Sequence, residues 1–378
     1  MNNRIKRYQL AKQLRKEGKY NGAPLFYSFP RLGKLIPVIP KGKQIMLLGG
    51  SGIGKSQLWI GLILLPVYNL IKNYKYKAKF HIFLLEDPIE LFEDRLFCRI
   101  LHIVSKKKYS VDPMELNSMR EQPISDEIET YFEETDRIVE DILSYCTVYD
   151  SVYNVTGIYK NLRTISGEQG EHIWEEKEFT YKKKDSSTFT EKVKVYKEYK
   201  PNDEEEHNIV FVDNLNNFSE EFDKKLNKSL DIRSSMGKWC RDYSRLQIVK
   251  HWDWTVINIC QTALESDKKQ FDNRGGNIIE KLEPNLSFLG DNKIIARDHH
   301  LILGLFSPTR FGIEQYENYR ISQLDDAFRA LIILKSNFSI PNRKIPLYFN
   351  GASSYFKELP LPNDMSPNIY KQIEHRRY

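Results

Sequence analysis

Short apolar runs recur along the chain, and the stretches between them carry apolar residues at helical spacing. Ile45-Met46-Leu47-Leu48 is bounded by glycines, as expected of a short strand buried on both faces. From Lys55 an apolar stretch that includes Leu58 to Val67 predicts a long helix. Lys79 to Leu85 predicts the next strand and Ile89 to Val104 the next helix. Further strands are predicted at Ser144 to Tyr149, Ile209 to Val212 ending in Asp213, Trp254 to Cys260, Leu301 to Leu305 and Ala330 to Leu334. Strands alternating with helices imply an α/β fold with a mostly parallel, twisted sheet and helices on both faces.

Two segments break this rhythm. Trp174 to Lys200 alternates in period two, with Phe179, Tyr181, Phe189, Val193 and Val195 on one side of the pattern and Asp185-Ser186-Ser187 between its halves. It predicts an exposed β-hairpin inserted at about residues 170–206, followed by an acidic loop at Asp203 to Glu206. Arg4 to Gly18 predicts a basic helix carrying Lys6, Arg7, Lys12, Arg15 and Lys16. The expected organisation is an N-terminal arm over 1–30, a main domain over 31–360 and a tail over 361–378.

Composition changes this picture little. Of 378 residues, 40% are hydrophobic, enough for a sizeable core. Lys and Arg outnumber Asp and Glu by 57 to 51, a mild basic bias that does not by itself identify a nucleic-acid binder. Cys98, Cys146, Cys240 and Cys260 form no Cys-x-x-Cys pair, which argues against a zinc site or a disulfide framework. A charged start without a secretory pattern and apolar runs too short to span a bilayer suggest a cytoplasmic protein with no membrane partner.

The chemistry is concentrated after the first strand. Gly49-Gly50-Ser51-Gly52-Ile53-Gly54-Lys55-Ser56 fits Gly-x-x-x-x-Gly-Lys-[Ser/Thr] in full. Such a loop turns its backbone N–H groups toward phosphate oxygens at the start of a helix, whose positive end adds to the attraction. Lys55 would reach the β- and γ-phosphates of ATP, and the Ser56 hydroxyl would complete a Mg²⁺ shell. Asp213, ending an apolar strand, is the candidate second Mg²⁺ carboxylate. Glu86, just beyond the strand ending in Leu85, is the candidate general base, with Asp87 as its competitor. Gln261, ending another strand, is placed to bond the γ-phosphate and report its presence.

These pieces in this order resemble the motor domain of DnaB-type replicative DNA helicases, a RecA-like P-loop family, over roughly Phe29 to Leu359. The resemblance is carried by Phe29-Pro30 with Leu32, Leu35 and Ile36, by Leu84-Leu85-Glu86-Asp87 with Leu91 and Arg95, and by Val148-Tyr149-Asp150. It continues through Val210 to Leu215, Val256 to Gln261, Ile295 to Leu303, and Ala330 to Lys335 with Pro346 to Phe349 and Tyr355-Phe356. It implies ATP hydrolysis between subunits of a homo-hexameric ring on single-stranded DNA, with a primase or loader protein as a possible partner. The family's closing Lys-x-Arg is Lys335-Ser336-Asn337 here, so Lys335 would supply charge to a neighbouring site, while Asn337 cannot act as an arginine finger. Either Arg343 or another arginine substitutes, or hydrolysis is slow.

The family's second DNA loop is replaced by Leu289-Gly290-Asp291-Asn292-Lys293. Candidate DNA contacts are Lys268, Lys269 and Arg274, with Lys281, in the loop after Gln261, and Lys293 in this segment; Lys224, Lys225 and Lys228 lie in the loop after Asp213. Tyr243, Trp252 and Trp254 are candidate stacking platforms, with core packing expected for the tryptophans. The family's N-terminal helical domain has no counterpart in the first thirty residues, which suggests a phage or mobile-element form. A RecA-like recombinase and a non-motor ATP switch are the alternatives.

Overall fold

The computed structural model describes residues 29–182, 188–223, 227–262 and 279–375, with scattered residues before position 25. Its centre is a nine-stranded sheet. The strands are β1 (Gln44–Gly49), β2 (Ala78–Leu84), β3 (Cys146–Tyr149), β6 (His207–Asp213), β9 (Thr255–Gln261), β10 (Leu301–Phe306), β11 (Phe328–Ser336), β12 (Lys344–Asn350) and β13 (Tyr355–Glu358). The spatial order is β13-β12-β11-β10-β1-β9-β6-β2-β3. The six strands from β10 to β3 are mutually parallel, and β11, β12 and β13 extend the sheet antiparallel. β4 (Gly170–Lys182) and β5 (Thr188–Pro201) form the inserted hairpin, and β7 (Glu221–Asp223) pairs with β8 (Lys228–Leu230) in a smaller one.

The central strands are buried along their whole length because both faces are covered. Alternate side chains therefore feed two separate cores. Ile45 and Leu47 of β1, Phe211 of β6 and Ile259 of β9 join one; Met46 and Leu48, Val210 and Val212, and Cys260 join the other. Helix α1 covers the first face as three consecutive stretches, Lys55–Trp59, a π segment Ile60–Leu64, and Leu65–Tyr74. Its Trp59 stacks on Phe211 with ring centroids 3.9 Å apart. Helix α2 (Ile89–Val104) packs beside it, contributing Phe92, Leu96 and Ile100, and α3 (Phe132–Leu143) adds Val139 and Ile142. The second face is covered by α4 (Val155–Glu168) and α5, which runs Ile232–Gly237 and continues as a π stretch Lys238–Val249. Asn154 caps α4 by accepting from the Gly157 N–H at 2.6 Å; Asp231 caps α5 likewise through Ser234 at 2.7 Å.

Every predicted strand is present within a few residues, and the Ile89–Val104 helix has the predicted bounds. The predicted hairpin is present as β4 and β5, and it emerges from the C-terminal end of α4. The loop Asp203 to Glu206 that follows it is held by lysines: Lys77 meets Asp203 at 2.7 Å, and Lys41 donates to the carbonyl oxygens of Glu204 and Glu206. Of the basic N-terminal segment only Ile5, Tyr8, Gln9, Lys12, Gln13 and Lys16 are described, all helical and exposed.

Candidate active site

In an open parallel sheet the crevice beyond the carboxyl ends of the strands is where ligands bind. Here β1 delivers the glycine loop to that edge, with Asp213 of β6 and Gln261 of β9 at the ends of neighbouring strands and Glu86 two residues past β2. The loop's shape follows from its glycines. Gly52 and Gly54 have φ of +67° and +95°, and a Cβ on Gly54 would lie 3.0 Å from the rings of both Phe349 and Phe356. Lys55 opens α1 and donates to the Gly50 carbonyl oxygen at 2.6 Å. Burial pulls its ammonium pKa down, while Asp213 and Glu86 pull it up.

Asp213 is 4% exposed, and burial pushes its pKa up to about 6, opposed by a hydrogen bond from Ser56. Its Oδ1 is buried without a hydrogen-bond partner. A buried carboxylate oxygen left open beside a serine hydroxyl is the donor set a Mg²⁺ ion takes, so these residues fit the ion.

The two acids after β2 have different partners. Asp87 is held by the Arg95 guanidinium. Glu86 accepts from the Asn214 amide and, at 3.2 Å, from Gln261 Nε2. Glu86 thus bonds Asn214 and Gln261 beyond β6 and β9, and Asp87 bonds α2, while both carboxylates, Asp87 first, add to burial in pushing the Asp213 pKa up. Asn216 ties the cluster together, accepting from the Gln261 N–H at 2.8 Å.

Several groups here went unread in the sequence. Arg310 donates to the Ser51 carbonyl oxygen at 2.5 Å, and buried Arg329 donates to that of Ile53 at 2.9 Å with its guanidinium 4.7 Å from the Phe349 ring. Both reach the loop from more than 250 residues away, with no local signal to mark them. Asn214 and Asn216 had one: a polar run directly after the Asp213 strand.

Lys335 is not gathered into this cluster. It lies beside Ile302, which is in register with Met46 near the start of β1, and it donates to the carbonyl oxygens of Ala296 and Arg297 at 2.8 and 3.2 Å. Those carbonyls belong to α6 (Lys293–Asp298). Asn337 and Arg343 are exposed near it. Lys268, Lys269, Arg274, Lys224 and Lys225 lie outside the described residues. Lys293 opens α6, after a 3₁₀ stretch Leu286–Asn292, so this segment is helical rather than an open loop. Lys228 and Lys281 are exposed. Trp252 and Trp254 are buried in the second core, and Tyr243 stacks on Tyr159 at 4.3 Å. Among the described residues no helix is long and apolar enough to cross a membrane.

No protein-family model matches the chain, and no curated protein sequence does. Solved structures do. The ATPase domain of G40P superposes with a TM-score of 0.61 at 14% identity, covering 95% of this chain and all of that one. A DnaB-like replicative helicase, described with its interactions with primase, superposes with a TM-score of 0.60 at 14% identity, covering 93% of this chain and 67% of that one. The strand order, the glycine loop at the sheet's carboxyl edge and these superpositions together give the chain the RecA-like fold of DnaB-like helicase ATPase domains.

Proposed function

We propose that this protein hydrolyses ATP and uses the cycle to move along single-stranded DNA as a DnaB-like ring helicase, completing each ATP site between two copies of the chain. The observation that carries the reading is the convergence of Lys55, Ser56, Asp213, Glu86 and Gln261 at one sheet edge, with Asp213 Oδ1 open beside Ser56. Loop amides and Lys55 would hold the triphosphate. Ser56 and Asp213 would hold Mg²⁺, which neutralises charge on the β- and γ-oxygens when bound. Glu86, oriented by Asn214 and Gln261, would accept a proton from the attacking water. Gln261 would pass the state of the γ-phosphate to the segment that follows it, which contains Lys268, Lys269 and Arg274. Lys335 would serve a neighbouring copy's site.

The test is ATP turnover with and without single-stranded DNA, together with strand unwinding. Wild type should be stimulated by the strand and should unwind. Glu86→Gln should lose about 10²- to 10⁴-fold in turnover while still binding ATP, and Lys55→Ala should lose both. A Glu86→Gln variant at full turnover removes the base assignment. Turnover indifferent to DNA would leave an ATP switch in place of a motor.

A further inference from the structure

The β4–β5 ribbon is a second structure on the molecule with a chemistry of its own. Its strands of 13 and 14 residues project roughly 40 Å at the usual rise per residue. An isolated two-stranded hairpin is marginal in water. This one is fixed at its root by an aromatic cluster: His172 lies against Trp252 with ring centroids 5.6 Å apart, Tyr196 stacks on His251 at 4.3 Å, and the Tyr199 hydroxyl donates to the Ser166 carbonyl oxygen at 3.0 Å. The outer half is therefore presented on a fixed mount.

Register sorts the outer half into two unlike faces. Tyr181 pairs with Phe189, Phe179 with Glu191 and Lys177 with Val193, and these share one face. Thr180 pairs with Thr190, and Glu178 with Lys192, on the other. Phe179, Tyr181 and Phe189 are 40%, 50% and 47% exposed. The rings of Phe179 and Tyr181 are 6.5 Å apart and 29° from parallel. Charge is also divided along the ribbon. Residues 177–194 hold six lysines against three acids, whereas the root, 170–176 with 195–201, holds two lysines against four acids.

Exposed aromatic rings spaced as alternate residues of a strand, on the part of a ribbon whose net charge is positive, are what an unstacked single strand of nucleic acid takes: bases stack on the rings and the basic excess attracts the phosphates. The ring spacing is about twice the 3.4 Å rise of stacked bases, which suits a stretched strand. We propose that the outer half of this ribbon binds single-stranded nucleic acid through Phe179, Tyr181 and Phe189, with Lys177 on the ring face and the net positive charge of the outer half, to which Lys192 and Lys194 add from the opposite face, as its electrostatic support. This contact would be additional to any made by the motor loops and shares with the motor reading only its class of ligand.

The experiment is fluorescence anisotropy of labelled oligo-dT and oligo-U with the full chain, across a salt series. The triple variant Phe179→Ala, Tyr181→Ala, Phe189→Ala should lose at least about tenfold in affinity, while ATP turnover without nucleic acid stays at the wild-type level. The aromatic-preserving pair Phe179→Tyr, Tyr181→Phe should retain wild-type binding. Replacing Lys177, Lys192 and Lys194 with Gln should flatten the salt dependence. Whichever of the two oligomers loses more identifies DNA or RNA as the preferred strand. Unchanged affinity in the triple-alanine variant overturns the proposal, as does a wild type that binds neither oligomer. A shift of the triple variant to smaller assemblies in sedimentation, at unchanged affinity, overturns it in favour of a contact between copies. Lys55→Ala should leave ribbon-dependent binding intact, so failure of the ATPase reading and failure of this one are separately visible.

Discussion

At the residue scale the site turns on which polar groups are answered and which are left open. Glu86 and Asp87 are adjacent in sequence and equivalent as carboxylates, yet Arg95 occupies Asp87 and leaves Glu86 with Gln261 and Asn214. Asp87→Asn should therefore weaken the tie to α2 and cost far less turnover than Glu86→Gln, a comparison one steady-state assay makes. Buried histidines give a second prediction. His299 faces the Ile295 carbonyl oxygen through Nδ1 at 2.7 Å and the Asn258 amide through Nε2 at 2.9 Å, an arrangement that suits the neutral ring with the proton on Nδ1. Burial pushes its pKa down to about 3, and that of His207 likewise to about 3. The unfolded chain then binds protons that the folded chain refuses between the ordinary histidine value and pH 3. Their contribution to stability is present above about pH 6.5 and is lost as pH falls, by about 1.4 kcal/mol per pH unit for each histidine. Urea midpoints measured at pH 7 and pH 5.5 should show the lower value at pH 5.5, and His207→Gln should reduce the difference. Equal slopes in the two proteins would remove His207 from this account.

At the element scale the strands were legible because each is an apolar run buried on both faces, and the hairpin because its alternation is period two. What ties the elements together was not legible. Glu358 at the end of β13 accepts the backbone N–H groups of Arg31 and Leu32 at 2.9 Å each, and the Arg31 guanidinium as well. One nearly buried carboxylate thus closes the start of the Pro30–Leu35 helix onto the last strand of the sheet. Glu358→Ala would leave those donors unanswered and should cost about 2–4 kcal/mol in chemical denaturation, with little change in ATP affinity measured on the folded protein. A loss under about 0.5 kcal/mol would show that water replaces the carboxylate at no cost.

At the scale of the whole molecule, Lys335 is level with Met46 and bonded to the carbonyls of α6, outside the cluster around the glycine loop, and on the proposed reading it serves a phosphate on another copy. A 1:1 mixture of Lys55→Ala and Lys335→Ala proteins, each slow alone, should then recover about a quarter of wild-type sites, because head-to-tail assembly creates interfaces holding both native lysines. No recovery on mixing would confine Lys335 to its bonds with the carbonyls of α6. The sequence by itself determined the α/β alternation, the phosphate loop and the carboxylates at strand ends, since each is encoded by neighbouring residues: an apolar period, a run of glycines, an acid after a strand. Only the tertiary structure decided that Arg95 claims Asp87, that Arg310 and Arg329 grip the glycine loop, and that Tyr181 pairs with Phe189 across the ribbon. Those outcomes depend on chain segments far apart in sequence meeting across a packed sheet, and no local pattern records which distant partner a side chain will find.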